Sequence, residues 1–305
     1  MLDSYQKFAA AILMMLVLII PPYIVADEGR AAMDIKLIPK ELTISQIMQL
    51  RDSLAMSKNP KKLSLKPAAT CFEANIDAYL LQVSATNKKI YGCIFSDQVT
   101  MNSALLRAGL FVHTPLGIVT DEKLFNSKLM TSVGGHDFDG AELLKYNQTA
   151  VIPSGSAAEY KTSKAIERQF KSEILDKIIA QHNNNFILFA VINTKKFQAN
   201  LSHELLHAQY YNVPEIAPIL LKVWQTEVKA EDQKIIKDCL QNGGYDMQQQ
   251  ELQLREFYSY FLQYNATAYL KGIKVLAPMA PLAKVYAPLI IKALNRDSIQ
   301  IISIK

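Results

Sequence analysis

Phe186-Ile187-Leu188-Phe189-Ala190-Val191-Ile192, four polar residues, and then Phe197-Gln198-Ala199-Asn200-Leu201-Ser202-His203-Glu204-Leu205-Leu206-His207 form the stretch on which this 305-residue chain turns. The seven apolar residues are of strand length, and the pattern beyond Lys196 predicts a helix over residues 197–211, stopped by Asn212 and Pro214. Each residue turns a helix by about 100°, so His203 and His207 stand about 40° apart on one face, within reach of a single point. Glu204 is rotated about 100° from His203. Two imidazoles so spaced suit one metal ion, and the carboxylate beside them suits a proton acceptor for water held there. The chain has five histidines, so two falling at this spacing is informative.

Upstream, Ala165, Phe170, Ile174, Ile178 and Ile179 mark one stripe of a helix within residues 162–181, which His182-Asn183-Asn184-Asn185 ends. Downstream, the pattern predicts helices at about residues 218–228, 231–241 and 248–269, the last read as continuous. Residues 277–294 are apolar with three prolines, which predicts broken helices packed in a core. Residues 68–146 mix short apolar runs, 78–83 and 90–95, with Gly and Pro breaks and read as an α+β region. Within it residues 134–140 read as a loop. Asp137 and Asp139 lack the further acids of a calcium loop, so a polar turn is expected.

Half of the chain is hydrophobic and a fifth is charged, which is ordinary globular composition. The net charge is +5, but Lys and Arg are scattered and no dense basic block alternates with aromatics. Neither a nucleic-acid nor an acidic-membrane partner is implied. The first 26 residues differ from the rest: Lys7 precedes an uncharged apolar run over 8–20, Pro21-Pro22 ends it, and Ala26 offers a small residue for cleavage before Asp27. That run is short for a membrane span and suits a signal peptide; extension through Tyr23 to Ala26 would make it an uncleaved anchor, the one membrane link expected. Either way the chain is exported, secreted or periplasmic. Disulfides persist there, and Cys71 and Cys93 are near enough in sequence to pair, leaving Cys239 as a buried odd thiol. Residues 27–67, with an apolar period through Ile35, Leu37, Leu42, Ile47, Leu50 and Leu54, form an N-terminal propeptide, linker or cap holding at least one short helix; residues 68–305 form the main domain.

His203-Glu204-Leu205-Leu206-His207 resembles the HExxH signature of zincin metallopeptidases, and the strand and helix around it are similar to the edge strand and active-site helix of that family. The resemblance implies an α+β, zincin-like fold, mostly helical around the site with a small sheet. It implies Zn2+ held by His203 and His207, with Glu204 as general base. The metzincin extension, a glycine and a third histidine soon afterwards, is absent. In gluzincins a glutamate on a later helix completes the ligand set in a context like NExxAY. Arg255-Glu256-Phe257-Tyr258-Ser259-Tyr260 resembles it, with Arg255 for asparagine and Ser259 for alanine. Glu256 is thereby the third ligand, 49 positions after His207, with Glu251, Glu227 and Glu231 as competitors. Tyr260, four residues after Glu256, is a candidate oxyanion donor, as are Tyr210 and Tyr211. His113, His136 and His182 receive no role. The function implied is an exported zinc metallopeptidase acting on protein or peptide substrates. The alternative is an exported binding protein on the same scaffold, with a structural or lost metal.

Overall fold

The computed structural model describes residues 35–55, 69–75, 88–113, 133–150 and 161–302. The signal-like segment, the apolar run at 78–83 and the turn at 153–155 lie outside the described residues. The chain is a mixed α+β protein, built among the described residues on one five-stranded sheet: β1 Ile35–Leu42, β2 Ala69–Ala74, β3 Lys89–Phe95, β4 Gly135–Asp139 and β5 Phe186–Ile192, in the order β1-β2-β3-β5-β4. β1 runs parallel to β2 and β3 parallel to β5, while β2 with β3 and β4 with β5 are antiparallel. Helices are α1 Ile44–Ala55, α2 Gln98–His113, α3 Gly140–Thr149, α4 Lys161–Phe170, α5 Asp176–His182, α6 Phe197–Asn212, α7 Ile216–Thr226, α8 Ala230–Asn242, α9 Gln250–Leu262, α10 Ala266–Lys271 and α11 Met279–Arg296. A π turn over Lys171–Leu175 joins α4 to α5.

β5 explains the two-layered core. All seven residues are buried, because the strand is paired on both edges and covered on both faces. Strand alternation sends Ile187, Phe189 and Val191 to one face, against Leu201, Leu205 and Leu206 of α6 and the C-terminal helices. Phe186, Leu188, Ala190 and Ile192 face α2 and α4, against Met101, Leu105, Ile166 and Phe170. Each fully buried Leu or Phe contributes about 1.5–3 kcal/mol, so the strand alone anchors both layers. Gly92 on β3 lets the rings of Phe189 and Phe72 close over it; a Cβ there would lie 2.3 Å from Phe189 Cζ.

Several sequence expectations change. Phe186–Ile192 is an interior strand, not an edge strand, as a run apolar on both faces requires. The edge beside it is β4, in the segment read as a loop; Asp139, at its end, caps α3 in a capping box with Glu142. Residues 35–55, set apart by composition, supply β1 and α1, so the boundary at 67 runs through one sheet. The helix expected over 248–269 breaks after Leu262, where Asn265 takes a left-handed backbone (φ 53°). Residues 279–296 form one helix despite the prolines. Pro278 caps it and Pro281 lies in its first turn, where N–H groups have no intrahelical acceptor, so only Pro288 interrupts the ladder. No helix among the described residues is long and apolar enough to cross a membrane.

α6 is buried along nearly its whole length between the sheet and the C-terminal helices, so its polar side chains require partners. Asn200 donates to the Gly134 carbonyl and accepts from Tyr269; Ser202 accepts from the Tyr264 amide. Gln209 donates to the Gln300 carbonyl and accepts from Tyr258 and from the Ile302 amide, and Asn212 accepts from the Lys88 amide. With these residues fixed structurally, His203, Glu204 and His207 are left for other duties.

Candidate metal centre

α6 carries His203 and His207 one turn apart, and α9 packs alongside it. Glu256, Ser259, Tyr260 and Gln263 recur at spacings of three and four, which puts them on one stripe of α9 and its C-terminal cap. The two elements therefore face each other with complementary chemistry. The Nε2 atoms of His203 and His207 are 2.9 Å apart. Glu256 Oε2 stands 3.5 Å from His203 Nε2, and Glu256 Oε1 stands 3.5 Å from His207 Nε2. One ligand atom from each of the three residues lies within 4.8 Å of the others, and all three are buried. Glu251, Glu227 and Glu231, the competing carboxylates, are not in this group.

These residues fit a metal ion on three counts. Donors about 2.0–2.2 Å from a tetrahedral ion stand roughly 3.3–3.6 Å apart, within about half an ångström of the separations here. Gln263 Oε1 lies 2.9 Å from His203 Nδ1 and can only accept, so that nitrogen carries a hydrogen and Nε2 presents its lone pair. Ser259 Oγ lies 3.1 Å from His207 Nδ1 and serves the second ring likewise when it accepts. Two lone pairs aimed at each other across 2.9 Å repel unless a proton or a cation lies between them. The third count is charge. Among the described residues, Asp137, Glu204 and Glu256 are buried around one buried guanidinium, Arg255, so full ionisation of these groups leaves an excess of two negative charges. A divalent cation would balance it.

Glu204 projects from α6 beside this group, with Asp137 and His207 within 4.8 Å of its ligand atom. Burial, then the charges of Asp137 and Glu256, push its carboxyl well above the usual range, and its Oε2 has no hydrogen-bond partner. The carboxylate presses onto β4 at Gly135, where a Cβ would stand 2.1 Å from Oε1. Only glycine leaves that room, so any side chain at 135 displaces Glu204. Burial would raise Glu256 too, but His207 and His203 hold it below the ordinary value. Burial drives His207 down to about 4, so its ring is neutral at neutral pH.

Asp137, on the edge strand read as a turn, joins the site through β4. Its Oδ1 is 3.9 Å from His207 Nε2. Its Oδ2 accepts from Tyr211 at 2.9 Å and is 3.7 Å from Arg255 Nε. Arg255 also bonds the Tyr211 hydroxyl, stands over its ring, and reaches His113 Nδ1 at 3.1 Å. The His113 Nε2 lies 3.1 Å from the Asp137 carbonyl. Burial by itself would raise Asp137; His207, Arg255, His113 and the Tyr211 hydrogen bond keep it ionised. Sequence reading missed Asp137 and His113 and saw Arg255 only as a departure from a pattern. The available signal was a lone arginine among Leu252, Leu254 and Phe257 on an apolar helix, which demands a buried partner.

Tyr260 lies against His203, ring centroids 4.4 Å apart, and its hydroxyl meets that of Tyr245 at 2.8 Å. Tyr245 comes from the segment between α8 and α9 and was not foreseen. Tyr210 packs between Tyr211 and Tyr258. His136 bonds Asn102 and His182 bonds Tyr91, both away from the cluster. Cys71 and Cys93 face each other across β2 and β3 and are joined as a disulfide, while Cys239 is a buried free thiol.

No family model, curated protein or solved structure matches this chain. Its function must be argued from the chemistry of the site.

Proposed function

We propose that this protein is an exported zinc-dependent metallopeptidase with a zincin-like site, in which His203, His207 and Glu256 hold the ion and Glu204 is the general base. The observation that carries this reading is the meeting of the two α6 imidazoles with the α9 carboxylate, each imidazole oriented by a separate side chain, Gln263 or Ser259. When bound, such an ion acidifies water to a pKa of about 7 and polarises a carbonyl. Glu204, desolvated and flanked by carboxylates, has the raised proton affinity needed to take a proton from water and pass it to a departing amine. Tyr260 and Tyr245, linked by their hydroxyls, can donate to a carbonyl oxygen as charge develops on it. Arg255 keeps Asp137 ionised beside His207. Export is supported by the buried Cys71–Cys93 bond and by the apolar run over residues 8–20.

One observation favours a second reading. His207 also belongs to a second group of three buried donors within 4.8 Å of one another, with Asp137 and Glu204, and an ion held there would take Glu204 as a ligand and give a closed structural site, as in a binding protein. A single variant separates the two. Glu204→Gln should retain stoichiometric zinc in the purified protein while hydrolysis of a peptide library falls by at least about a hundredfold. Undiminished cleavage overturns the assigned base. Zinc without cleavage in the wild type favours the closed site.

A further inference from the structure

We propose that the outer face of α11 docks this protein on the surface of an anionic phospholipid bilayer, an inference independent of the metal site. Residues 257–296 contain Lys271, Lys274, Lys284, Lys292 and Arg296 and no Asp or Glu. The whole chain has 33 basic and 28 acidic residues, so the remainder is balanced, 28 against 28, and the net charge of +5 resides in this one segment. Scattered along the sequence, these residues escape notice as a block. The fold sets Lys284, Lys292 and Arg296 on one exposed face.

Along α11 the exposed positions are 281, 284, 285, 288, 291, 292, 295 and 296, a helical period that defines one stripe. On that stripe Lys284, Lys292 and Arg296 alternate with Val285, Pro288 and Ile291; Lys274 and Val275 precede it in the approach to the helix. Val275, Val285 and Ile291 are 43%, 56% and 38% exposed. They make three of the six large hydrophobic side chains exposed among the described residues. None of the five basic residues forms an ion pair among the described residues. By contrast, Lys171, Lys177 and Lys234 on other helices each meet a carboxylate at 2.7 Å.

Aliphatic side chains set between unpaired lysines suit a bilayer interface. The apolar groups enter the headgroup boundary, while the lysine stems lie along them and the ammonium groups reach anionic phosphates. A second copy of the same face would bring like charges together. Single-stranded nucleic acid calls for stacking rings, and the exposed stripe of α11 carries none.

The test is flotation of the full-length protein with vesicles of phosphatidylcholine alone and of equimolar phosphatidylcholine and phosphatidylglycerol. The apolar run at residues 8–20 is common to every arm, so the ratio of anionic to neutral partition isolates the stripe. Each basic residue at an anionic surface is worth about fivefold, so Lys284→Glu with Lys292→Glu should lower the anionic partition by at least about 25-fold. Lys292→Gln alone should lower it by about fivefold and guards against a double variant that fails to fold. Val285→Ser with Ile291→Ser should weaken binding while leaving its salt dependence. Equal partition into both vesicle types by the wild type overturns the proposal, as does unchanged partition of the lysine variants. Displacement of vesicles by a single-stranded oligonucleotide would assign the face to nucleic acid instead, and a concentration-dependent dimer dissolved by Ile291→Ser would assign it to a second copy.

Discussion

Two buried ionic clusters among the described residues are built on opposite logic. Between α2, α3 and α4, Arg107 donates to both oxygens of Glu167 at 2.8 and 3.3 Å, and Tyr146 donates to the same carboxylate at 2.9 Å. One cation meets one anion in fork geometry, and none of the three side chains has a buried polar atom without a partner. Around α6 and α9, three carboxylates share one arginine and two imidazoles. Glu204 Oε2, Glu256 Oε2 and Arg255 Nε have no hydrogen bond, although Arg255 Nε lies within ion-pair distance of Asp137. A satisfied cluster holds helices together. A cluster left short of positive charge is one that expects a further cation, and it is located where the candidate chemistry lies.

The comparison breaks first at the satisfied cluster, where the largest effect is expected. Arg107→Leu leaves Glu167 buried with only Tyr146 for company among the described residues, and should destabilise the protein by about 3–5 kcal/mol. Denaturant unfolding with the slope unchanged measures it. A loss below about 1 kcal/mol would mean that Glu167 finds solvent or neutralises easily, and the pair would no longer count as architecture.

The site should respond in the opposite direction. Glu204→Gln removes a buried carboxylate whose Oε2 lacks a partner and which is crowded by Asp137 and Glu256, so the metal-free protein should gain about 1–3 kcal/mol. The sign comes from linkage: a carboxyl whose folded pKa is raised contributes stability below its unfolded value and loses it as pH rises. The gain should therefore be largest at alkaline pH and vanish near pH 4, where both states of the wild type hold the proton. Unfolding of the chelated protein across that range is the measurement, and a destabilised variant at every pH would show Glu204 to be structurally satisfied.

How much of the fold and the site is legible in the sequence depends on how local each signal is. β5 and α6 declare themselves because an unbroken apolar run and a helical period are written within a few residues. Glu256 came from a resemblance in its own helix. Asp137 did not, because a five-residue strand with polar ends becomes a strand only through pairing with β5, some fifty residues downstream, as in Gly135 opposite Val191. The buried polar residues of α6 were equally opaque: Gln209 is satisfied by Tyr258, Gln300 and Ile302, all far along the chain. Prolines misled in α11 because their cost depends on position within the helix, and a sequence run does not announce which residue is the cap.

Glu142 lies between the two kinds of cluster and gives the smallest effect. It caps α3 by accepting from the Asp139 amide at 3.2 Å, yet burial first, opposed by Arg255 and that hydrogen bond, pushes its carboxyl up to about 7. A carboxyl raised from 4.5 to about 7 holds its proton in the folded state while the unfolded chain has released it, so its contribution is present below about pH 4.5 and is lost as pH rises through about 7. Glu142→Gln keeps the acceptor and the cap but cannot ionise. It should leave stability unchanged at pH 4.5 and raise it by roughly 1 kcal/mol at pH 8, the partial exposure of the side chain limiting the gain. A variant that instead loses stability at pH 8 would show that the Glu142 charge is needed by Arg255, which would extend the site cluster onto α3 and add a further carboxylate to those that share Arg255.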